Sequence, residues 1–221
     1  MLVQDYVKLA LRSEVEGDSP LDRLDHAAMG LVTEVGELVD ALKKHKRYGR
    51  EFDLLNFCEE LGDVAWYAAL AADVLGLNFP DMLAVPHHKE MAMTAVGVNL
   101  TQIGLIDFNT GLLVHHAAEF YMIVRRMRYV RRTVGHDLNK LAPHLNKILH
   151  TIEDLAQLGG FTLENVLDAN IAKLMRRYSA KFTAAEAEKR DIEAEKKALA
   201  DALVDAGIDP AIDIITFDAA E

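Results

Sequence analysis

The sequence predicts an all-α protein built as a four-helix-bundle-like core with a charged helical tail, and three observations carry that prediction. Apolar residues recur at helical spacing along most of the 221 residues, whereas strand-like alternation is confined to a short piece near residues 212–217. The five prolines and the Gly-containing clusters read as breaks between helices. Hydrophobic residues make up 51% of the chain, enough for a sizeable core and too many for global disorder.

Taken in order, a first helix ends before Gly17-Asp18-Ser19-Pro20. The second starts after that turn, carries Glu34 and Glu37 and runs down to Lys43, Lys44 and Lys46, where Gly49 stops it. The third begins near Leu54 and passes Glu60, Asp63 and Trp66 to reach Gly76. A less regular stretch with Pro80, Pro86 and Gly97 follows. Amphipathic helices are then expected over 112–132 and 138–158, the latter ended by Gly159-Gly160. Thr162 reads as the N-cap of the last core helix, with Asn165 where a full capping box has Glu, and that helix runs to Tyr178. Residues 1–183 are thus expected to form one all-α domain. Residues 184–221 form a charged, alanine-rich tail whose Glu and Lys suit a solvated face, or else a coiled-coil or oligomer contact.

Two halves of the core can be laid over each other, approximately 20–95 on 105–180. Leu83-Ala-Val-Pro-His-His-Lys89-Glu-Met91 aligns with Leu167-Asp-Ala-Asn170-Ile-Ala-Lys173-Leu-Met175. Upstream, Glu37 through Lys44 aligns with Glu119 through Arg126, at a shift of 82 to 84 residues throughout. A duplicated helical unit and a chance match of amphipathic segments both fit. If the unit is duplicated, its second copy has lost the acids: His116 stands where Glu34 does, and Asn146 or a neighbour where Asp63 does.

Composition narrows the function classes. Lys plus Arg is 24 against 35 Asp plus Glu, a formal charge of -11, so no nucleic-acid partner is expected. A phosphorylated substrate stays open, because bound metal reverses the sign of the local field. Cys58 is the single cysteine, which leaves no intramolecular disulfide and points to a reducing compartment. No apolar run approaches ~18 residues and no basic-then-apolar leader follows Met1, so the expectation is a cytoplasmic protein without a membrane span.

The chemistry lies in two acidic pairs, Glu34-x-x-Glu37 and Glu60-x-x-Asp63. At i,i+3 spacing both carboxylates of a pair leave one face of a helix. Glu60 and Asp63 fall among Tyr67, Leu70, Ala71 and Val74 on an apolar stripe, and Glu34 falls between Leu38 and Ala41. Carboxylates turned toward a core must be protonated, paired or bound to a cation. Four of them across a helical hairpin suit Mg²⁺, which prefers oxygen ligands, with Mn²⁺ as a substitute. Such a site suits hydrolysis of a phosphoanhydride.

The run Leu31-Val-Thr-Glu34-Val-Gly-Glu37-Leu-Val-Asp40-Ala-Leu-Lys-Lys44, then Tyr48-Gly49, then Glu59-Glu60-Leu-Gly-Asp63-Val-Ala-Trp66-Tyr67, resembles the MazG-like nucleoside triphosphate pyrophosphohydrolases of the all-α NTP pyrophosphatase superfamily. The match covers roughly residues 20–79 and 159–182. The resemblance implies that Glu34, Glu37, Glu60 and Asp63 bind Mg²⁺, and that Asn170 and Lys173 help hold the nucleotide; Lys44 and Tyr178 are further substrate-binding candidates. It implies hydrolysis of a (deoxy)nucleoside triphosphate to the monophosphate and pyrophosphate, with water attacking the α-phosphate; Glu34 is the candidate chosen to position that water, and a homo-oligomer stays open. Two departures stand out. Thr33 occupies a position where many members have a second Glu, and about 80 residues separate the two matched blocks. They motivate the alternative of a catalytically silent nucleotide-binding or regulatory protein on the same scaffold. A di-iron carboxylate bundle fits worse, since no Glu here has His three residues on.

The remaining candidates read more plainly. Lys43, Lys44 and Arg47 suit a helix C-terminus as well as a phosphate. His26 reads as a boundary residue, Trp66 and Tyr67 as core or as the wall of a base pocket. The rings of His87-His88 and of His115-His116 diverge on a helix and make no chelate. Arg125, Arg126, Arg128, Arg131 and Arg132 read as a solvated face or a phosphate or partner contact.

Overall fold

A computed structural model describes residues 3–15, 19–85, 101–130, 134–178, 183 and 188–210. Among them are eight α-helices and no strand: α1 (Val3–Ala10), α2 (Pro20–Tyr48), α3 (Leu54–Leu75), α4 (Phe79–Ala84), α5 (Gln102–Tyr129), α6 (Val134–Leu158), α7 (Leu163–Arg177) and α8 (Ile192–Asp205). A 3₁₀ turn over Leu11–Ser13 extends α1. The strand-like piece at 212–217, the Pro86 and Gly97 stretch, the His87-His88 pair, and Arg131 and Arg132 lie outside the described residues.

Local chemistry fixes most helix ends. Ser19 caps α2 by accepting the Asp22 N–H, Pro20 takes the first helical position, and Gly49 ends the helix at φ 64°. Asp53 caps α3 through the Asn56 N–H, and Gly76 closes it at φ 66°. Thr162 and Asn165 make a reciprocal capping box at α7, so Asn does there what Glu usually does.

Two ends differ from the sequence expectation. Helix α5 starts at Gln102, ten residues early, because Thr101 caps it through the Gly104 N–H. Helix α6 starts at Val134 and carries Pro143 inside it, so that proline is no break.

Helices α2 and α3 form a hairpin, as do α5 and α6; α2 packs on α5 and α6 on α3, closing a four-helix core. The α2–α5 contact is antiparallel. Arg125 and Arg128 near the end of α5 pair with Asp25 and Asp22 near the start of α2, at 2.9 and 2.7 Å. Lys46 near the end of α2 reaches Asp107 near the start of α5 at 2.5 Å. Arg125 and Arg128 are therefore held in cross-helix ion pairs, while Arg126 is exposed.

Each hairpin receives the helix that follows the other: α4 packs on α6, while α7 packs on α3. Helices α2 and α5 are 29 and 28 residues long. His116 and His144, placed 82 and 84 residues after Glu34 and Glu60, bring their Nδ1 atoms to 3.2 Å.

The core runs through the bundle on Leu31, Leu38, Phe57, Leu61, Leu70, Leu113, Phe120 and Ile148. Helix α1 lies against α3 and α7 and buries Tyr6 completely. The C-terminal helix keeps Glu193, Lys196, Lys197 and Asp201 exposed on one face, while the opposite positions turn inward. It packs on α7 and buries Leu199, Leu203 and Glu195, so its apolar positions serve the same molecule. Among the described residues no helix is long and apolar enough to cross a membrane.

Candidate active site

Helices α2 and α3 run side by side, and the wheel positions of their acids decide what meets. Glu34, Glu60 and Asp63 each direct a carboxylate oxygen into one group, all three oxygens within 4.8 Å of one another. Glu60 is 9% exposed, while Glu34 and Asp63 are half-buried. Glu37 is not part of this group. One turn along α2 it is offset by about 60° from Glu34, which turns its side chain to solvent.

Helix α7 supplies the countercharge. Lys173, 1% exposed, donates to both oxygens of Asp63 at 2.6 and 2.5 Å, and lies 3.4 Å from Glu59. Burial pulls its pKa down, but Asp63 and Glu59 carry it above the ordinary lysine value. Asn170, also 1% exposed, donates its Nδ2 to Asp63 at 2.9 Å. Its Oδ1 in turn accepts the Tyr6 hydroxyl at 2.9 Å, so the buried amide has a fixed orientation. Gly62 permits this approach: a Cβ there would stand 2.9 Å from the Asn170 Cβ.

One lysine cannot neutralise the whole group. Burial first, then Asp63, Glu34 and Glu59, push the Glu60 carboxyl up to about 8. Burial and the Asp63 charge raise Glu34 as well, opposed by the Thr33 hydroxyl, which donates to it at 3.2 Å. Three converging oxygen donors under mutual repulsion fit a hard divalent cation, whose charge would relieve what now forces protonation. The donor set contains no nitrogen or sulfur, which suits Mg²⁺ or Mn²⁺ better than zinc.

The acids open onto a cavity of about 360 Å³, within the range of small-molecule sites. It is lined by Glu34 and Asp63, by the aromatic cluster of His26, Trp66 and Tyr67, and by Arg177, Tyr178 and Arg190. His26 meets Tyr67 edge-on at 5.5 Å, and Trp66 meets Tyr67 at 4.8 Å between centroids. The indole is anchored from behind, donating to the Ala10 carbonyl at 2.9 Å and the Ser13 hydroxyl at 3.0 Å. Burial and Glu34 push the Tyr67 phenol up to about 12, so it stays neutral at physiological pH.

Of the residues expected from sequence, Glu34, Glu60, Asp63, Asn170, Lys173 and Tyr178 come together. Lys44 does not. It pairs with Asp40 at 2.7 Å, ten residues beyond Glu34 and so about 15 Å along the helix. Lys43, Lys46 and Arg47 border a different cavity between α2 and α5. Cys58 is buried, and burial pushes its thiol up to about 12, in keeping with a packing role.

Sequence reasoning missed His26 as part of the site, and also Ser13, Arg177 and Arg190. Arg177 carries a signal that could have found it, since it follows Lys173 by one turn on the same face. Ser13 and Arg190 reach the cavity only through tertiary packing.

One comparison with known proteins found a match. The family model of the MazG nucleotide pyrophosphohydrolase domain matches residues 24–89, a segment that holds all four acids. Over that segment the chain is MazG-like. No curated protein and no solved structure matched the chain.

Proposed function

We propose that this MazG-like chain is a Mg²⁺-dependent nucleotide pyrophosphohydrolase that converts a (deoxy)nucleoside triphosphate to the monophosphate and pyrophosphate. The observation that carries the reading is the convergence of Glu34, Glu60 and Asp63, inside the MazG-like segment and beside buried Lys173, at a cavity of about 360 Å³ that Glu34 and Asp63 line. Glu34, Glu60 and Asp63 would hold the metal, with Glu37 as a nearby fourth carboxylate. Bound Mg²⁺ supplies charge neutralisation on the phosphate oxygens and a lowered pKa for the attacking water.

The chain's own groups have separate tasks. Lys173 and Asn170 fix the rotamer of Asp63, so that one ligand carboxylate is held before metal arrives. Glu34 lies on the cavity wall and is our candidate for orienting the water that attacks the α-phosphate. His26, Trp66 and Tyr67 offer an aromatic surface to base or sugar, and Tyr178 lines the same cavity. The helices and ion pairs that position these groups all lie within one chain. A homo-oligomer and a cytoplasmic location accord with this reading without being needed by it.

A panel of ribo- and deoxyribonucleoside triphosphates, assayed for pyrophosphate release with Mg²⁺ and with EDTA, tests the proposal. Metal-dependent formation of NMP rather than NDP is expected, and Asp63→Asn should abolish it while helicity is kept. Turnover retained in that variant would remove the proposal. Absence of turnover with every nucleotide, in a protein that nucleotide still stabilises thermally, would favour the silent binding protein.

A further inference from the structure

The C-terminal helix does more than cover α7. Arg177 at the end of α7 and Arg190 just before α8 both line the cavity that holds Glu34 and Asp63. Between them sits Glu195, 2% exposed, on the first turn of α8. Its carboxylate accepts from Arg177 Nε at 3.0 Å and Nη2 at 2.5 Å, and from Arg190 Nη2 at 2.9 Å and Nε at 3.2 Å. Leu199 and Leu203, one and two turns further on, are buried and hold α8 in register.

Two guanidiniums share one carboxylate, so a net positive charge remains in the lining of the cavity that Glu34 and Asp63 also line. Glu195 engages the Nε and Nη2 edge of each fork, which turns the Nη1 edge away from it. A guanidinium held in this way presents fixed donors suited to phosphate oxygens. Arg177 also stands one turn, about 6 Å, beyond Lys173 along α7. A chain of phosphates that starts at the acids would therefore run toward the arginines.

We infer that α8 completes the site: Arg190 and Arg177, positioned by buried Glu195, form a subsite for the terminal phosphates of a polyphosphate ligand. This rests on the nucleotide reading above and extends it to the C-terminal segment. Arg190 and Arg177 touch the ligand, whereas Glu195 is a positioning residue that acts through them.

The sign of one substitution separates positioning from mere neutralisation. Removing a carboxylate near a phosphate site favours a polyanion by simple electrostatics. If Glu195 only screens the arginines, Glu195→Gln tightens binding; if it aims them, binding weakens.

The test is calorimetric titration of inorganic tripolyphosphate with Mg²⁺ into the full chain, its R190Q and its E195Q variants, with kcat and KM on the best nucleotide. Arg190 is 43% exposed, so R190Q leaves the fold intact even if E195Q loosens α8. Loss of one charge-assisted contact should weaken tripolyphosphate roughly tenfold in R190Q. E195Q should weaken it too, with KM raised and kcat little changed. No binding by the wild type, or equal affinity in R190Q, overturns the subsite, and tighter binding by E195Q overturns the positioning role. Tripolyphosphate weakened by R190Q in a protein that hydrolyses no nucleotide would keep the subsite and defeat the enzymatic reading. Turnover with an unaltered KM in R190Q would do the reverse.

Discussion

At the scale of single residues, Asp63 is the hinge of the site, since Lys173, Asn170 and the other two acids all depend on it. Lys173 is buried with Asp63 and Glu59 as its partners, so Lys173→Met leaves the carboxylates without their cation. Removing one side of a buried pair of this kind costs about 3–5 kcal/mol. Urea unfolding of metal-free protein should show that loss, and Mg²⁺ should recover part of it. A midpoint equal to the wild type would mean that Lys173 does not balance the acids.

The pH dependence follows from Glu60. Burial and its acidic neighbours hold the proton on the folded protein up to about 8, whereas the ordinary value is 4.5. The folded state therefore binds more protons than the unfolded chain between those values. Stability of the metal-free protein should be greatest below pH 4.5 as far as Glu60 is concerned, and its share should be lost as pH rises to about 8. Glu34 adds to the same slope. Melting temperatures of Glu60→Gln, measured without metal across that range, should fall less steeply than those of the wild type. Parallel curves would contradict the assignment.

At the scale of elements, the close contact of α3 and α7 is what brings Asn170 to Asp63. Gly62→Ala would push against the Asn170 Cβ at 2.9 Å, in a layer where backbone must give way. Overpacking of this sort costs about 1–3 kcal/mol. Chemical denaturation should show that loss, and nucleotide turnover should fall with it because Asp63 loses the amide that orients it. A variant as stable and active as the wild type would show that the helices have room to separate.

Helix existence, apart from α4 in the stretch expected to be less regular, and most boundaries were legible because they are local. Ser19-Pro20, Gly49, Asp53, Gly76 and Thr162 each state their role in two or three residues. The early start of α5 was not, since Gly104, Asn109 and Gly111 blur its periodicity. Pro143 misled because proline opposes a helix interior by propensity, and the packing of α6 on α5 and α3 overrides it. The acidic pairs were legible as types at a spacing, but spacing gave Glu34 and Glu37 equal standing. The offset of about 60° between them around α2 separates them, leaving Glu37 exposed.

At the scale of the whole molecule, the site draws on both ends of the described chain. Tyr6 and Ser13 support it from the N-terminal side, Arg190 and Glu195 from the C-terminal side. None of these was legible, because a buried Glu held by two arginines has the same local sequence as a solvated one. The same holds for Leu199 and Leu203, whose partners lie on α7. Leu199→Ala should cost about 2–5 kcal/mol if α8 is integral to the core, as its complete burial indicates. A change within about 0.5 kcal/mol, the range of surface substitutions, would restore the picture of a loose tail.

The most direct test of the central claim, that Glu34, Glu60 and Asp63 form a divalent-cation site, is Mn²⁺ binding followed by electron paramagnetic resonance without nucleotide. The account predicts saturable binding by the wild type, displaced by Mg²⁺ and weakened at least tenfold in both Glu60→Gln and Asp63→Asn. Mn²⁺ affinity unchanged in those two variants would contradict it.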